Sequence, residues 1–355
     1  MGWWLASRIV TLVAFVVCWL LGPRGRLGGQ FFATPLKLFG VWDGLWYKRI
    51  AESGYLLVPG HQSDPAFFPA YPILLRGLHR AGLPYLDAGV LVSNVALLGA
   101  TIAFYELGCR IVEGEIARRA ACLMVVSPLA FVLSMSYPES LALALMSFAL
   151  LAAVVDRWSA AAAVGAAAGL VRPEAALFAI PLAALAWSRH GAMDPSTRGR
   201  AIAAVFAAPV GLATYPMYLD WALGDPNAWG QAEQLWGRAF SLSGPLRAIV
   251  HLPRQLALQP WLARDVVFVV LYAALLVVAR RAGVGLPWIV AGALVLLLPL
   301  MSGSVQSEGR FGLLALPLYW GAAALVRSRR AEVALQTCCL LLLVAGVLTL
   351  PYTWP

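Results

Sequence analysis

The residues from Trp42 to Tyr55 combine carboxylates, basic residues and aromatic rings in one short stretch. The spacing of Trp42, Trp46 and Arg49 predicts a short helix lying at a membrane surface, with its rings at the depth of the lipid headgroups. Asp43 falls in the first turn of this helix. A carboxylate at the boundary between water and lipid could accept a proton from the hydroxyl of a lipid-borne substrate, but it could also only cap the helix.

A second polar and aromatic segment, residues 61–72, follows the first. Its prolines, with Phe67 and Phe68, predict a rigid apolar surface, and His61 lies at the polar edge of that surface. The residue types alone leave two interpretations open, loop packing and a substrate-binding surface.

The composition restricts the class of protein. Of the 355 residues, 61% are hydrophobic and 12% are charged. Soluble domains are typically about 45–50% apolar and about 25% charged, so this chain is neither a soluble domain nor disordered. The net charge is +9, from 26 basic and 17 acidic residues. No basic cluster is interleaved with stacking aromatics, and we therefore expect no nucleic acid as a partner.

The apolar segments predict an all-α polytopic membrane protein, a single integral-membrane domain over residues 1–355. A spanning helix needs about 20 mainly apolar residues. By that criterion we count about eleven spans, at residues 4–22, 86–108, 117–135, 138–155, 158–171, 173–188, 201–221, 264–280, 286–303, 311–326 and 332–351.

Arginine placement gives the expected orientation, because cytoplasmic loops are enriched in basic residues. With a cytoplasmic N-terminus in the cell membrane, the inner loops contain Arg110, Arg118, Arg119, Arg157, Arg189, Arg198, Arg200, Arg280, Arg281, Arg327, Arg329 and Arg330. The short outer loops contain only Arg172 and Arg310. The long connections at residues 23–85 and 222–263 are then both extracytoplasmic, and we expect interfacial helices in the first.

Most of the remaining polar residues fall on the same outer face. They include Tyr137, Glu139, Arg172, Glu174 and Arg310. An arginine on this face opposes the positive-inside rule, which suggests a role such as binding phosphate. Ion pairs of Arg172 with Glu174 and of Arg310 with Glu308 are the structural alternative. The tryptophans and glutamines of residues 221–236 suit either sugar stacking or a membrane-interface belt.

The order of these motifs resembles a known family. The most specific match is the run Trp42-Asp43-x-x-Trp46-Tyr47-x-x-Ile50-Ala51-x-x-Gly54-Tyr55, followed by His61 and Phe67-Phe68-Pro69-x-Tyr71-Pro72. Weaker matches are Ser127-Pro128, Tyr137-Pro138-Glu139-Ser140, Gly169-Leu170-x-Arg172-Pro173-Glu174, Gly309-Arg310-Phe311 and Pro317. Together they resemble the phosphatidylinositol-glycan class V (PIG-V) mannosyltransferases and their bacterial relatives, over residues 35–320.

The resemblance implies a GT-C glycosyltransferase fold with a large first extracytoplasmic loop. It also implies a polyprenyl-phosphate-mannose donor, a lipid or glycan acceptor, and neither a metal nor another cofactor. The role of catalytic base maps onto Asp43. Two residues depart from the family pattern: Phe311 stands where tyrosine is common, and Gly44 is small.

The chemistry of such a transfer agrees with this assignment. Inverting transfer needs one base at the acceptor hydroxyl, and the departing phosphate needs cationic or hydrogen-bonding stabilisation. The outer face offers several cations for that role, namely Lys48, Arg49, His61, Arg172, Arg238 and Arg310. The expected substrate-binding residues are Trp42, Trp46, Tyr47, Lys48, Arg49, His61, Phe67, Phe68, Tyr137, Glu139, Arg172, Glu174, Glu308 and Arg310.

Two other functions stay open at the level of sequence. One is a lipid or solute transporter, although acidic residues near the middle of a span and repeated halves, which are usual in transporters, are lacking. The other is a non-catalytic membrane subunit that positions a partner enzyme. Protein partners, oligomeric state and the acceptor's identity cannot be read from the residues.

Overall fold

The computed structural model describes residues 2–21, 26–27, 30–31 and 34–353, with side chains in the first and last of these ranges. The regular secondary structure of the described residues is helical, apart from the two-residue segments Arg26–Leu27 and Gln30–Phe31, which pair antiparallel. Its α-helices, in chain order, are α1 (Gly2–Leu21), α2 (Asp43–Ser53), α3 (Ala70–Arg80), α4 (Tyr85–Gly108), α5 (Gly114–Val126), α6 (Glu139–Val154), α7 (Trp158–Gly169), α8 (Ala179–Arg189), α9 (Pro195–Leu223), α10 (Ala228–Leu235), α11 (Gly244–Leu258), α12 (Leu262–Arg281), α13 (Leu286–Leu300), α14 (Glu308–Phe311), α15 (Pro317–Ala324) and α16 (Arg329–Thr349). Short 3-10 helices cover residues 35–40, 64–66, 132–134, 173–178, 190–192 and 312–314.

Several helices have the length and apolar character that a membrane requires. In the part of the chain that the structure describes, five are long enough to cross a bilayer, namely α1, α4, α9, α12 and α16. Two shorter apolar helices, α6 and α13, add to them. Side chains such as Val267 and Val270 on α12 are 64% and 66% exposed, and such positions suit contact with lipid tails. The protein is therefore a helical, membrane-embedded one.

Most predicted spans coincide with one α-helix, but three contain several elements. Residues 117–135 contain α5, turns and a 3-10 helix, residues 173–188 contain a 3-10 helix and α8, and residues 311–326 contain the end of α14, a 3-10 helix and α15. The segment at 117–135 is not one continuous helix, because α5 ends at Val126 and turns follow. Ser127 has extended dihedral angles, φ −54° and ψ 155°, as expected for a residue before proline. The number of membrane crossings stays a prediction.

The connection between α5 and α6, residues 127–138, lies inside the molecule. Every residue from Leu129 to Ser140 is buried. Its backbone meets the segment that precedes α2, since the Ser136 N–H donates to the Phe39 carbonyl at 2.7 Å. This connection therefore supports the start of α2, where Asp43 lies.

Small residues allow α7 and α9 to pack closely. A Cβ at Gly169 would lie 2.2 Å from the Ala208 carbonyl oxygen, and one at Gly211 would lie 2.2 Å from that of Ala166. Close backbone approach at small residues is a common packing mode of membrane helices. The alanine-rich composition of residues 158–169 thus has a packing reason, and the tight pair fixes the turn containing Arg172 that follows α7.

Candidate active site

Asp43 is the first residue of α2, and an unusual backbone conformation precedes it. Trp42 has φ 59° and ψ −118°, a region that bulky residues rarely adopt. The Asp43 side chain forms no capping hydrogen bond in α2; its Oδ2 accepts from Arg310 Nη1 at 2.6 Å instead. The side chain is 15% exposed, so solvent or a ligand can reach it.

Tyr137 holds the backbone on both sides of Trp42. Its hydroxyl donates to the Val41 carbonyl at 3.0 Å and accepts from the Asp43 N–H at 3.3 Å. Gly44 packs against the same connection, where a Cβ would lie 3.2 Å from the Ser136 carbonyl oxygen. This close approach explains the small residue beside the acid. Tyr137 therefore helps to position Asp43 by holding the backbone next to it.

Arg310 connects Asp43 to a second carboxylate. It lies on α14, is almost fully buried, and its Nε is 3.5 Å from Glu139 Oε1. Burial opposes its charge, but the carboxylates of Asp43 and Glu139 more than offset this effect and raise the pKa of Arg310 above its usual value. The guanidinium therefore stays charged beside Asp43.

Arg172 continues the network from the turn after α7. Its Nη1 donates to Glu139 Oε1 at 2.7 Å, and its Nε and Nη2 donate to the two oxygens of Glu174 at 3.1 and 2.9 Å. Asp43, Arg310, Glu139, Arg172 and Glu174 thus form a continuous series of ion pairs, which we call the ion-pair chain. A buried charge is tolerated only when it is paired in this way.

Aromatic rings line the region beside α2. Trp46 stacks on Phe67 with ring centroids 5.6 Å apart, and Trp236 packs edge-on against both of them at 5.1 and 5.4 Å. Tyr47 meets Phe67 and Tyr71, each at 5.2 Å. We call Trp46, Tyr47, Phe67, Tyr71 and Trp236 the aromatic wall. Trp236 shows that the second long connection contributes to the same region as the first.

Some of the residues expected at the site have other surroundings. Lys48 pairs with Glu52 on the exposed side of α2, at 3.3 Å. Arg49 stacks over Trp46 and donates to Asp64 at 2.8 Å. Phe68 packs against Tyr215 and Trp229 and extends the aromatic packing towards α9 and α10, whereas His61 is exposed on a turn. Trp42 packs against the main core.

Glu308 is not the partner of Arg310. It is 1% exposed beside Asp265, whose carboxylate accepts the N–H groups of Ser307 and Gly309 at 3.2 Å each. Burial, with the negative charge of Asp265 adding, raises the pKa of Glu308 to about 9. We therefore place Glu308 beneath the turn that presents Arg310, and outside the ion-pair chain.

Sequence reasoning did not single out three positioning residues. Ser93 donates to the Tyr137 carbonyl at 2.9 Å, Asp64 pairs with Arg49, and Asp265 fixes the turn before α14. Nothing in their local sequence distinguishes them from ordinary polar residues within or at the ends of helices. Their contacts join segments that are far apart in the chain, and only the packing of the helices reveals them.

The ring of Phe311 has two close cationic neighbours, Arg172 and Arg238. The guanidinium carbons of Arg172 and Arg238 lie 5.0 and 4.9 Å from its ring centroid. Such contacts use the electron-rich face of an aromatic ring. A phenyl ring suffices for these contacts, because they use the face of the ring and need no hydroxyl group.

The described side chains contain no group of three or more His, Cys, Asp or Glu residues close enough to hold a metal ion. No protein-family model matches the sequence, and no curated protein sequence shows significant similarity to it. The interpretation of the site therefore depends on its geometry and on the motif resemblance described above.

Proposed function

We propose that the protein is an inverting membrane glycosyltransferase that transfers mannose from a polyprenyl-phosphate donor to a lipid- or glycan-borne hydroxyl. The observation behind this proposal is the carboxylate of Asp43, partly exposed, ion-paired with a buried arginine and adjacent to the aromatic wall. An acid, cations and apolar rings are the groups that a hydroxyl, a phosphate and a lipid chain require. We further propose a GT-C-type fold of about eleven crossings, with the site extracytoplasmic.

Asp43 acts as the general base in this mechanism. Its Oδ2 accepts a hydrogen bond from Arg310. No hydrogen bond from the described residues reaches Oδ1, so Oδ1 is available to take the proton of the hydroxyl that receives mannose. The acceptor oxygen then attacks C1 of mannose, and the bond between C1 and the phosphate oxygen breaks. The electron pair leaves with the polyprenyl phosphate, which gains one negative charge.

Arg310 keeps the charges of the site balanced during this step. When Asp43 takes up the proton it becomes neutral, and Arg310 loses one of its anionic neighbours. At the same moment a negative charge develops on the departing phosphate. A fixed, buried cation close to both positions stabilises the transition state more than the ground state. Arg172, which also pairs with Glu174, holds Glu139, the second neighbour of Arg310, in place.

Replacing Asp43 by asparagine tests the proposal. The amide keeps the size of the side chain but cannot take up the proton, so transfer should fall by about 10²–10⁴-fold, the usual contribution of a general base. The protein would be reconstituted in vesicles with radiolabelled mannosyl polyprenyl phosphate, and label transferred to phosphatidylinositol or to an alkyl mannoside would be counted. Undiminished transfer by Asp43→Asn would refute the base assignment.

Glu52→Gln is the matched control. Glu52 lies on the same helix, is exposed and, among the described residues, pairs only with Lys48, so its variant should transfer mannose at the wild-type rate.

Mass spectrometry of lipids from cells with and without the gene tests the reaction class independently. A transporter would change the location of lipids without changing their glycosylation. A non-catalytic subunit would tolerate Asp43→Asn.

A further inference from the structure

Arg238 differs from the other arginines around Phe311 in its lack of a partner. Arg172 and Arg310 both have carboxylate partners in the ion-pair chain. The guanidinium of Arg238 donates no hydrogen bond and joins no ion pair within the described residues. It does make a cation–π contact with the ring of Phe311. A guanidinium has five N–H donors in a planar fork, a shape that matches the oxygens of phosphate.

The surroundings of Arg238 make its charge costly without a ligand. The side chain is half-buried, and its backbone N–H donates to the Glu233 carbonyl at 2.8 Å. Burial lowers the pKa of Arg238; Glu233 opposes this effect, while the positive charges of Arg310 and Arg172 add to it. An anion bound at the fork would satisfy the donors and offset the repulsion from the two neighbouring arginines.

The neighbouring side chains indicate that this anion is joined to an apolar chain. Two residues before Arg238, Trp236 enters the aromatic wall. On the other side, Phe240 and Leu242 are 65% and 83% exposed. An unpaired cation between apolar side chains suits a ligand with an anionic head and an apolar tail, because each part then meets a matching surface.

We propose that Arg238, stacked on Phe311, is the direct ligand of the phosphate group of a lipid-linked phosphate. This inference rests on the proposed function for the identity of that lipid as the sugar donor. The proposal assigns phosphate binding to the second long connection, residues 222–263. Sequence analysis left that role open among Lys48, Arg49, His61, Arg172, Arg238 and Arg310. Arg172 and Arg310 each hold a carboxylate, and Arg310 stabilises the developing charge from the position that Asp43 fixes.

Binding of a short-chain polyprenyl phosphate without sugar tests the proposal, because no transfer is needed. Its affinity for the detergent-solubilised full-length protein would be measured by titration calorimetry, with inorganic phosphate and phosphatidylglycerol micelles as separate ligands. Arg238→Gln should weaken binding of the polyprenyl phosphate at least tenfold. Arg238→Lys, which keeps the charge but loses the planar fork, should give an intermediate affinity.

Arg254→Gln is the matched control, since Arg254 is an exposed arginine on α11 in the same connection. Its variant should bind like the wild type. Wild-type affinity in Arg238→Gln would overturn the proposal, and so would an equal loss in Arg254→Gln. Inorganic phosphate or phosphatidylglycerol binding as tightly as the polyprenyl phosphate would overturn the assignment to a lipid-linked phosphate. If Arg238 is required for binding but no mannose is transferred, the proposed function fails and the phosphate site stands.

Discussion

At the residue scale, the position of Asp43 depends on a strained neighbour. The dihedral angles of Trp42 are ones that glycine adopts freely and a side chain with a Cβ does not, at a cost of about 1–3 kcal/mol. Two contacts hold the backbone around it, the Tyr137 hydroxyl on Val41 and the Ser136 N–H on Phe39. Strain of this kind is found at functional sites, where surrounding contacts compensate for it.

Glu308 gives a pH-dependent prediction at the same scale. Its pKa rises from an ordinary value of 4.5 to about 9 in the folded protein. Between these values the unfolded chain releases a proton that the folded protein keeps, so stability falls as the pH rises through this window. Glu308→Gln cannot ionise and stays neutral in both states. We expect a weaker dependence of the melting temperature on pH and a melting temperature several degrees higher near pH 8.

Thermal unfolding in detergent at several values between about pH 5 and pH 9 would measure this effect. Glu106→Gln is the control, because Glu106 is 47% exposed and pairs only with Arg110 on the surface of α4. Identical pH dependence in the wild type and in Glu308→Gln would contradict the prediction.

At the element scale, α1 is fastened to the buried connection between α5 and α6 by one arginine. Arg8 is 9% exposed and donates to the carbonyl oxygens of Val125 and Ala130 at 2.8 and 3.3 Å, and also to the Ser134 hydroxyl. A charged side chain inside a membrane protein is normally held by such oxygens. The connection held by Arg8 is the one that supports Asp43 through Ser136 and Tyr137.

We therefore predict that Arg8→Ala destabilises the protein by about 1–3 kcal/mol, because buried acceptors lose their donors. Mannose transfer should also fall, since the support of α2 loosens. Melting temperatures and transfer rates of the two proteins would be compared in the same detergent and vesicles. Arg110→Ala, which removes a surface pair, should cost less than about 1 kcal/mol. Equal stability of the two variants would contradict a structural role for Arg8.

At the scale of the whole molecule, the orientation in the membrane can be tested by thiol labelling. With about eleven crossings and a cytoplasmic N-terminus, Cys109 at the end of α4 faces the cytoplasm. Cys109 is exposed, as is residue 61. A membrane-impermeant maleimide should label His61→Cys in intact cells, and Cys109 only after permeabilisation. Labelling of Cys109 in intact cells would contradict the proposed topology.

Much of the fold could be predicted from the sequence because its causes are local. Long apolar segments must form helices in a membrane, where every backbone polar group has to be satisfied internally. Most predicted spans therefore coincide with a single α-helix, and the predicted surface helix after Trp42 is α2. The irregular end of the segment at 117–135 follows from Pro128, which sequence analysis used as part of a motif and not as the end of a helix.

The sequence by itself determined the class of the protein, the places of most of its long apolar helices and the residues with the chemistry for a site. Only the tertiary structure decided which charges meet. Arg310 pairs with Asp43, 267 residues away, and not with Glu308, because side chains two apart on a helix do not face each other. Arg172 does pair with Glu174, two residues later in the chain, because the backbone of Arg172 is extended, with φ −154° and ψ 142°.

Pairing depends on the distances between side chains, and the packing of the helices sets those distances. For the same reason, Arg238 is the one arginine around Phe311 that has no acceptor among the described residues.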